Sequence, residues 1–290
     1  MSQRKVLRYM STDTDVDARE KSSNDSSSIS SKVRSSADGK SNDGMTCAMS
    51  VEDISMMQLA DSFFPTGMYT TSNGLEMFFY NKRVKSAEHL KSLLAVFLKQ
   101  QIGPADCVAL GNAYQAAGES NLARLVEIDN MLFSMRLIKE IREASVRSGI
   151  QLIRCLNHIV SNRKADSSSS SSNNNYSILE SYDDAVRSKK ANGVYPVALA
   201  VACNVFSIPK PKAGLILLYS FSISVIGAAL RLGMLNHFQG QMIVDDLKPL
   251  MVTVVKENID KPLSSMWQFA PEIDIVQMMH ERLATKMFIT

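Results

Sequence analysis

Apolar residues recur every three or four positions over most of the chain from residue 51 onward, the period of an amphipathic α-helix. The clearest example begins after Ser86, which is typical of a helix cap, and ends at Gly103-Pro104. Its apolar positions are Leu90, Leu93, Leu94, Phe97 and Leu98. The same spacing in the other segments predicts an all-α fold.

The remaining predicted helices follow one another closely along the chain. They cover 51–63, 75–81, 105–117, 121–160, 181–190, 194–206, 213–234 and 241–259. Ser50 is expected to cap the first of them, with Asp53 at the third position. Gly149 is expected to divide the long segment 121–160 into two helices, because glycine weakens a helix interior.

Two polar segments interrupt this pattern. Residues 1–50 are rich in Ser, Asp, Lys and Asn, and such a segment buries too little apolar area to offset its ordering entropy. Residues 161–176 form a Ser/Asn tract typical of a flexible loop. We therefore expect a disordered N-terminal tail, followed by a single globular helical domain over residues 51–290 that contains a Ser/Asn-rich loop insertion.

Composition excludes several classes of protein. The net charge is +3, too balanced to indicate binding to nucleic acid or to an anionic membrane. The four cysteines lie far apart, which indicates neither a disulfide framework nor a zinc site, and three of them fall in helix-like apolar runs, which favours buried free thiols. They are Cys47, Cys107, Cys155 and Cys203. Free thiols and the absence of a secretory signal favour the cytoplasm.

One apolar run is long enough to raise a membrane alternative. Residues 213–230 carry no charge over about 18 positions, the usual threshold for a spanning helix. The run also contains Ser220, Ser222, Ser224 and Gly227, which favour a buried central helix. A buried central helix is therefore the favoured interpretation, and a membrane-associated helical protein is kept as the alternative.

Catalytic motifs are absent from the sequence. Gly39-Lys40-Ser41 ends like a phosphate-binding loop, but Arg34 stands where the first glycine is required and no strand precedes it. His280 and Glu281 are adjacent, so on a helix they point about 100° apart and make a poor chelate. An enzyme alternative would use scattered polar residues and would need a deep pocket that joins them. These residues are Glu76, Arg136, Glu140 and His280.

The stretch 58–76 has an unusual polar centre. A helix-like start stops at Pro65-Thr66-Gly67, hydroxyl side chains and Asn73 follow, and another apolar helix begins at Leu75. Residue chemistry alone predicts a capped corner between helices, with Phe63 and Phe64 packed into the core. The stretch also resembles the N-terminal signature of the urease accessory protein F (UreF) family. The matching strings are Gln58-Leu59-Ala60-Asp61-Ser62, Phe64-Pro65-Thr66-Gly67 and Ser72-Asn73-Gly74-Leu75-Glu76.

Later stretches are similar to the same family in the same order. The first is the Arg-x-x-x-Glu-x-Arg-x-x-Ser spacing that begins at Arg136, and the second is Tyr195-Pro196. The third combines Arg231-Leu232 with Gly240-Gln241. The last begins at Pro271 and includes His280-Glu281 and the end from Lys286 to Thr290. On residue chemistry, the charges after Arg136 form ion pairs on one helix face, and Arg231 complements a helix C-terminus. The chain departs from the family pattern at Met68 and Lys286, where glycine and arginine are usual, and it lacks a proline before Gly240.

The resemblance implies an all-α protein that is not an enzyme and forms a homodimer. It implies assembly with the accessory GTPase UreG and the β-rich scaffold UreD/UreH to insert nickel into apo-urease. The chain would connect these partners and modulate GTP hydrolysis. Nickel would pass through the complex and GTP would bind the partner, so no cofactor is expected on this chain.

The resemblance also selects candidate partner-binding residues. They are Pro65, Thr66, Gly67, Ser72, Asn73, Arg231, Gln241, His280, Glu281, Lys286 and Phe288. Residues 271–290 are expected to become ordered only on the scaffold, whereas the stretch around Pro65 is expected to face the GTPase or a second copy.

Overall fold

Helices account for nearly all regular structure in residues 50–166 and 174–290, the ranges described by the computed structural model. Those ranges contain no strand, so the predicted all-α fold is confirmed. The described residues from Ser50 onward form one compact unit. The expected tail and the Gly39-Lys40-Ser41 string lie outside the described residues, apart from Ser50 itself.

The first ten helices follow the predicted order with shifted ends, whereas the eleventh was not predicted. They are α1 (Val51–Ala60), α2 (Leu75–Tyr80), α3 (Ala87–Phe97), α4 (Val108–Gly118), α5 (Leu122–Met135), α6 (Lys139–Asp166), α7 (Asn174–Arg187), α8 (Tyr195–Val205), α9 (Lys210–Arg231), α10 (His237–Asn258) and α11 (Pro271–His280). Ser50 caps α1 through a capping box with Asp53, as predicted. A second capping box, between Asn236 and Gln239, starts α10 four residues before the predicted Gln241.

The predicted break at Gly103-Pro104 is wrong. A π-helical segment, Leu98–Cys107, joins α3 to α4 without interruption. Proline removes one backbone donor, and the wider π-turns leave carbonyl groups that need other partners. The backbone N–H groups of Trp267 and Phe269 supply them, donating to the carbonyls of Pro104 and Gln100 at 3.2 Å each.

The segment 121–160 is also divided differently from the prediction. The break falls at residues 136–138, where Arg136 is extended, and α6 runs through Gly149. Gly149 is required by packing: a Cβ atom there would lie 2.1 Å from the carbonyl oxygen of Gly193. Arg136 and Glu140 therefore do not share a helix face, whereas the exposed pair of Lys139 and Glu143 does form, at 3.9 Å.

The Ser/Asn segment was expected to be a loop from residue 161 to residue 176. Helix α6 continues to Asp166 and α7 begins at Asn174, so helix occupies both ends of that segment. Residues 167–173 lie outside the described residues.

The core is built around α8, in which every residue is buried. This helix packs against α4 and α6, and α9 packs against α10 and α1. Cys107 and Cys203 are buried free thiols, as predicted, and Cys155 is a half-buried one. Burial raises the pKa of Cys107 to about 12, so its thiol is unreactive at neutral pH.

Two helical stretches in the described ranges are long and apolar enough to cross a membrane: 87–118 and 210–231. The second contains the run identified from sequence, and the first arises because the π-helical segment removes the predicted break. About 72% and 67% of their most apolar windows are buried inside the fold. Core helices of soluble proteins have the same property, so these helices are weak support for the membrane alternative.

Candidate functional site

The polar corner after α1, residues 61–74, is here called the signature turn. Its backbone takes left-handed angles at Gly67 (φ +79°), Asn73 (φ +54°) and Gly74 (φ +84°), which glycine and asparagine accept most readily. Phe63 does not pack into the core as predicted and is 90% exposed. Helix α1 ends at Ala60, so Phe63 lies beyond its buried face.

Hydroxyl groups attach the signature turn to α9. The Oγ atoms of Thr71 and Ser224 lie 3.0 Å apart, and Ser224 donates to the carbonyl of Met68 at 2.9 Å. These contacts hold the turn against the buried central helix, as expected for a corner that must keep one shape.

The C-terminal segment, residues 281–290, lies directly on the signature turn. The N–H of Ile289 donates to the carbonyl of Thr70 at 2.9 Å, and the N–H of Ser72 donates to the carbonyl of Thr290 at 3.1 Å. The Ser72 hydroxyl donates to the same carbonyl. The two predicted stretches are therefore in contact, and the expectation that residues 271–290 order only on a scaffold is wrong for this structure, where the chain itself supplies the docking surface.

His280 occupies the buried centre of this contact. Its Nδ1 lies 2.6 Å from Oε2 of Glu140 on α6, and its Nε2 lies 3.1 Å from Oε2 of Glu76 on α2. A neutral imidazole has one N–H, so both contacts are hydrogen bonds only if the imidazole is doubly protonated or a carboxyl group holds the proton. His280 therefore bridges two carboxylates that come from different helices.

Both carboxylates also bind the C-terminal segment. Glu76 accepts from the N–H groups of Met287 at 2.9 Å and Phe288 at 3.2 Å, and Glu140 accepts from Nζ of Lys286 at 2.6 Å. Burial raises the pKa of Glu140, but the hydrogen bonds from Lys286 and His280 outweigh burial and hold it below its usual value. An ionised Glu140 thus fixes both α11 and the segment that follows it.

Arg231 connects the signature turn to the same segment. Its guanidinium lies 3.8 Å from the centroid of the Tyr69 ring and 4.6 Å from that of Phe288. Its Nε donates to the carbonyl of Gly227 at 3.0 Å. Arg231 therefore stacks between aromatic rings as well as ending α9.

The structure brings together three of the four residues of the enzyme alternative. His280 contacts both Glu76 and Glu140, whereas Arg136 pairs with the buried Asp106 instead. Sequence reasoning missed Asp106, although it is the only charged residue between Lys99 and Glu119. Such a lone charge inside an apolar helical run signals a buried partner.

The candidate partner-binding residues divide into three groups. Ser72, His280 and Phe288 are buried and hold the chain together, so they offer no free surface. Five others line an open groove of about 630 Å³ between the signature turn, α9 and α10: Pro65, Thr66, Gly67, Arg231 and Gln241. Asn73 is half-buried, Glu281 is exposed, and Lys286 points its amine at Glu140.

Within the described ranges, no group of three or more His, Cys, Asp or Glu side chains is arranged to hold a metal ion. The cluster around His280 illustrates the reason, because both ring nitrogens already face carboxylate oxygens.

Comparison with known proteins identifies the family. The family model UreF matches residues 84–248, more than half of the chain. A protein named urease accessory protein UreF from Trichodesmium erythraeum (strain IMS101) is 32% identical over 82% of this chain and 96% of its own length. Proteins of the same name from Bacillus sp. (strain TB-90) and Haemophilus influenzae (strain PittGG) are each 26% identical, over 82% and 84% of this chain and 98% and 99% of their own lengths. The chain therefore belongs to the UreF family of urease accessory proteins.

Proposed function

We propose that this chain is a non-catalytic connector in urease maturation in the cytoplasm. With the nickel-carrying GTPase UreG and the scaffold UreD/UreH, it takes part in inserting nickel into apo-urease and modulates GTP hydrolysis by the GTPase. Family membership supports the link to urease. The docking of the C-terminal segment on the signature turn supports the connector role, because it joins the two candidate partner faces into one rigid unit.

The first proposed face is the outer side of α11. Ile275, Met278 and Met279 are spaced as neighbours on one helix face and are 60%, 46% and 42% exposed. Met287 and Ile289 of the C-terminal segment are also exposed, at 59% and 46%. Exposed apolar side chains grouped in this way favour a protein partner, and we assign this face to the scaffold.

The second proposed face is the groove beside the signature turn. Phe63 and Tyr69 are 90% and 66% exposed along it. Arg231 also lines the groove, and its guanidinium contributes a positive charge beside the Tyr69 ring. The groove therefore suits a partner that offers an apolar side chain beside a carboxylate, and we assign it to the GTPase or to the second copy of a homodimer.

Co-purification with UreG and UreD/UreH tests the proposal, with urease activity measured with and without this chain. Met278→Asp should weaken scaffold binding by about tenfold or more, because it places a charge in an apolar interface. Met131→Asp is the matched control, since Met131 is 40% exposed on α5, away from both faces. Equal loss in both variants, or urease that matures without the chain, would overturn the proposal.

The groove has a separate test. Phe63→Asp should leave scaffold binding intact and should prevent either GTPase capture or dimer formation, which light scattering distinguishes by mass. A Phe63→Asp chain that still forms both complexes would remove the groove from the proposal.

A further inference from the structure

A small cavity lies under the signature turn, between the π-helical segment, α6 and the start of α8. The volume accessible to water in this cavity is about 60 Å³. Three stretches that resemble the family motifs meet there, represented by Asn73, Arg136 and Tyr195-Pro196. Nothing in the contacts around His280 or in the open groove uses this cavity, which we call the Asp106 cavity.

Two buried polar atoms at this cavity lack partners. The side chain of Asp106 is 2% exposed and one of its oxygens binds Arg136, but Oδ2 has no hydrogen-bond partner in the described part of the chain. The Nε of Arg136 lacks one as well, and its side chain is 11% exposed. A buried donor or acceptor left unsatisfied costs roughly 1–3 kcal/mol, so native proteins rarely retain one without water or a ligand.

Irregular backbone places both residues at the cavity. Asp106 belongs to the π-helical segment, and Arg136 is the extended residue that separates α5 from α6. Single π-turns in long helices occur frequently at functional positions. Burial raises the pKa of Asp106, and the Arg136 guanidinium opposes that rise. The local irregularities thus position a polar pair that a regular helix would have kept apart.

The pair restricts the chemistry of any occupant. An occupant must donate a hydrogen bond to the carboxylate oxygen and accept one from the guanidinium N–H. The ionised pair carries no net charge, so a cation would be repelled by Arg136 and an anion by Asp106. Water satisfies both atoms, and the available space holds about four molecules at roughly 15 Å³ each.

We propose that the Asp106 cavity is a hydration site in which ordered water bridges Oδ2 of Asp106 and Nε of Arg136. Asn73, Ser145 and Ser148 also line the cavity and supply further polar contacts. The water thereby joins the signature turn to α6. This assignment does not depend on which partners the chain binds.

A crystal structure of the full chain at high resolution tests the site directly. The expected result is water density within hydrogen-bonding distance of both orphan atoms. Crystals soaked in NiCl₂ and examined at the nickel edge should show no anomalous peak beside Asp106. An empty cavity, a side chain bonded to Oδ2, or a nickel peak at this position would overturn the assignment.

A double-mutant cycle gives a second test in solution. Ala144→Leu places a larger side chain in the cavity from α6 and displaces the water. The substitution is made in the native chain and in an Asp106→Leu/Arg136→Met background, where neither side chain has a polar atom that needs water. The free-energy cost of crowding the larger side chain into the core is common to both backgrounds, so it cancels in the cycle.

For a wet cavity, Ala144→Leu should raise the unfolding equilibrium constant about fivefold more in the native chain than in the apolar background. An equal effect in both backgrounds indicates a dry cavity and contradicts the proposal. Buried ion pairs often tolerate apolar replacement, but if the double variant does not fold, the crystallographic result decides alone.

Discussion

Nδ1 of His280 lies 2.6 Å from Oε2 of Glu140, although the two residues are 140 positions apart in the chain. The other oxygen of the same carboxylate binds Lys286. A single side chain of α6 therefore fixes both the end of α11 and the segment that runs back over the signature turn. The pairing of this carboxylate therefore contributes to the relative position of the proposed partner faces.

Replacing His280 should release the C-terminal segment. His280→Leu leaves the Glu76 and Glu140 carboxylates buried without the group that bridges them, and breaking a buried charged network costs about 3 kcal/mol. The free energy of unfolding should fall by that amount. Amide hydrogen exchange at Met287, Phe288 and Ile289 should accelerate, because two of these N–H groups bind Glu76 and the third binds the turn.

Glu281→Leu is the matched control, since Glu281 is adjacent in sequence but exposed. It should change neither the free energy of unfolding nor the exchange of those amides. Equal exchange rates in the two variants would show that His280 does not hold the segment.

Acid should weaken the same contact. The pKa of Glu140 is lowered from its ordinary value of 4.5, so the ionised carboxylate stabilises the folded chain above that value. This stabilisation is lost as the pH falls through the ordinary pKa, which applies to the unfolded chain, and then through the lower pKa of the folded chain. The stability difference between the native chain and Glu140→Gln should therefore hold from about pH 7 to about pH 5.5 and shrink as the pH falls below about 5, as measured by urea unfolding. A difference that stays constant below about pH 5 would contradict the ionised state of Glu140.

The amino-acid sequence predicts the helices well because each has an apolar face that recurs along the chain. It does not predict the π-helical segment, since Pro104 breaks a helix only where no other group satisfies the freed carbonyls. Here Trp267 and Phe269, more than 160 positions away, donate to carbonyls of that segment. Local rules cannot include partners that only the tertiary structure brings close.

The candidate site shows the same limit. The family resemblance places Ser72 on one expected partner face and His280 and Phe288 on another, but all three are buried and their segments pack against each other. A matched motif does not distinguish a residue that makes an internal contact from one that contacts a partner. No spacing rule connects Glu76 and Glu140 to residues near position 280, so the sequence does not predict the contacts of their carboxylates.

Arg231 should not be replaceable by lysine. Lysine keeps the charge but lacks the planar guanidinium that stacks between Tyr69 and Phe288. Arg231→Lys should lower the free energy of unfolding by about 1 kcal/mol and should increase hydrogen exchange at Phe288. Arg124→Lys is the control, because Arg124 is exposed and forms only an ion pair with Glu127, which lysine can replace. Equal stability of the two variants would show that stacking on Arg231 contributes nothing.

Two helical glycines should respond to alanine with opposite signs. In α6, a Cβ atom at Gly149 would lie 2.1 Å from the carbonyl oxygen of Gly193 and 2.9 Å from the backbone nitrogen of Tyr195. These are backbone atoms at the start of α8, so relief requires α6 and α8 to separate. Gly149→Ala should therefore lower the free energy of unfolding by about 3 kcal/mol.

In α9, a Cβ atom at Gly227 meets only Nη2 of Arg231, at 4.0 Å. Gly227→Ala should raise the free energy of unfolding by about 1 kcal/mol, because alanine is the better helix former and restricts the unfolded chain. Chemical denaturation of both variants measures the two changes. Stabilisation by both would mean that α6 does not approach Gly193 as closely as described. Destabilisation by both would indicate that a group absent from the single chain packs against Gly227. A second copy of the chain bound in the groove would supply such a group.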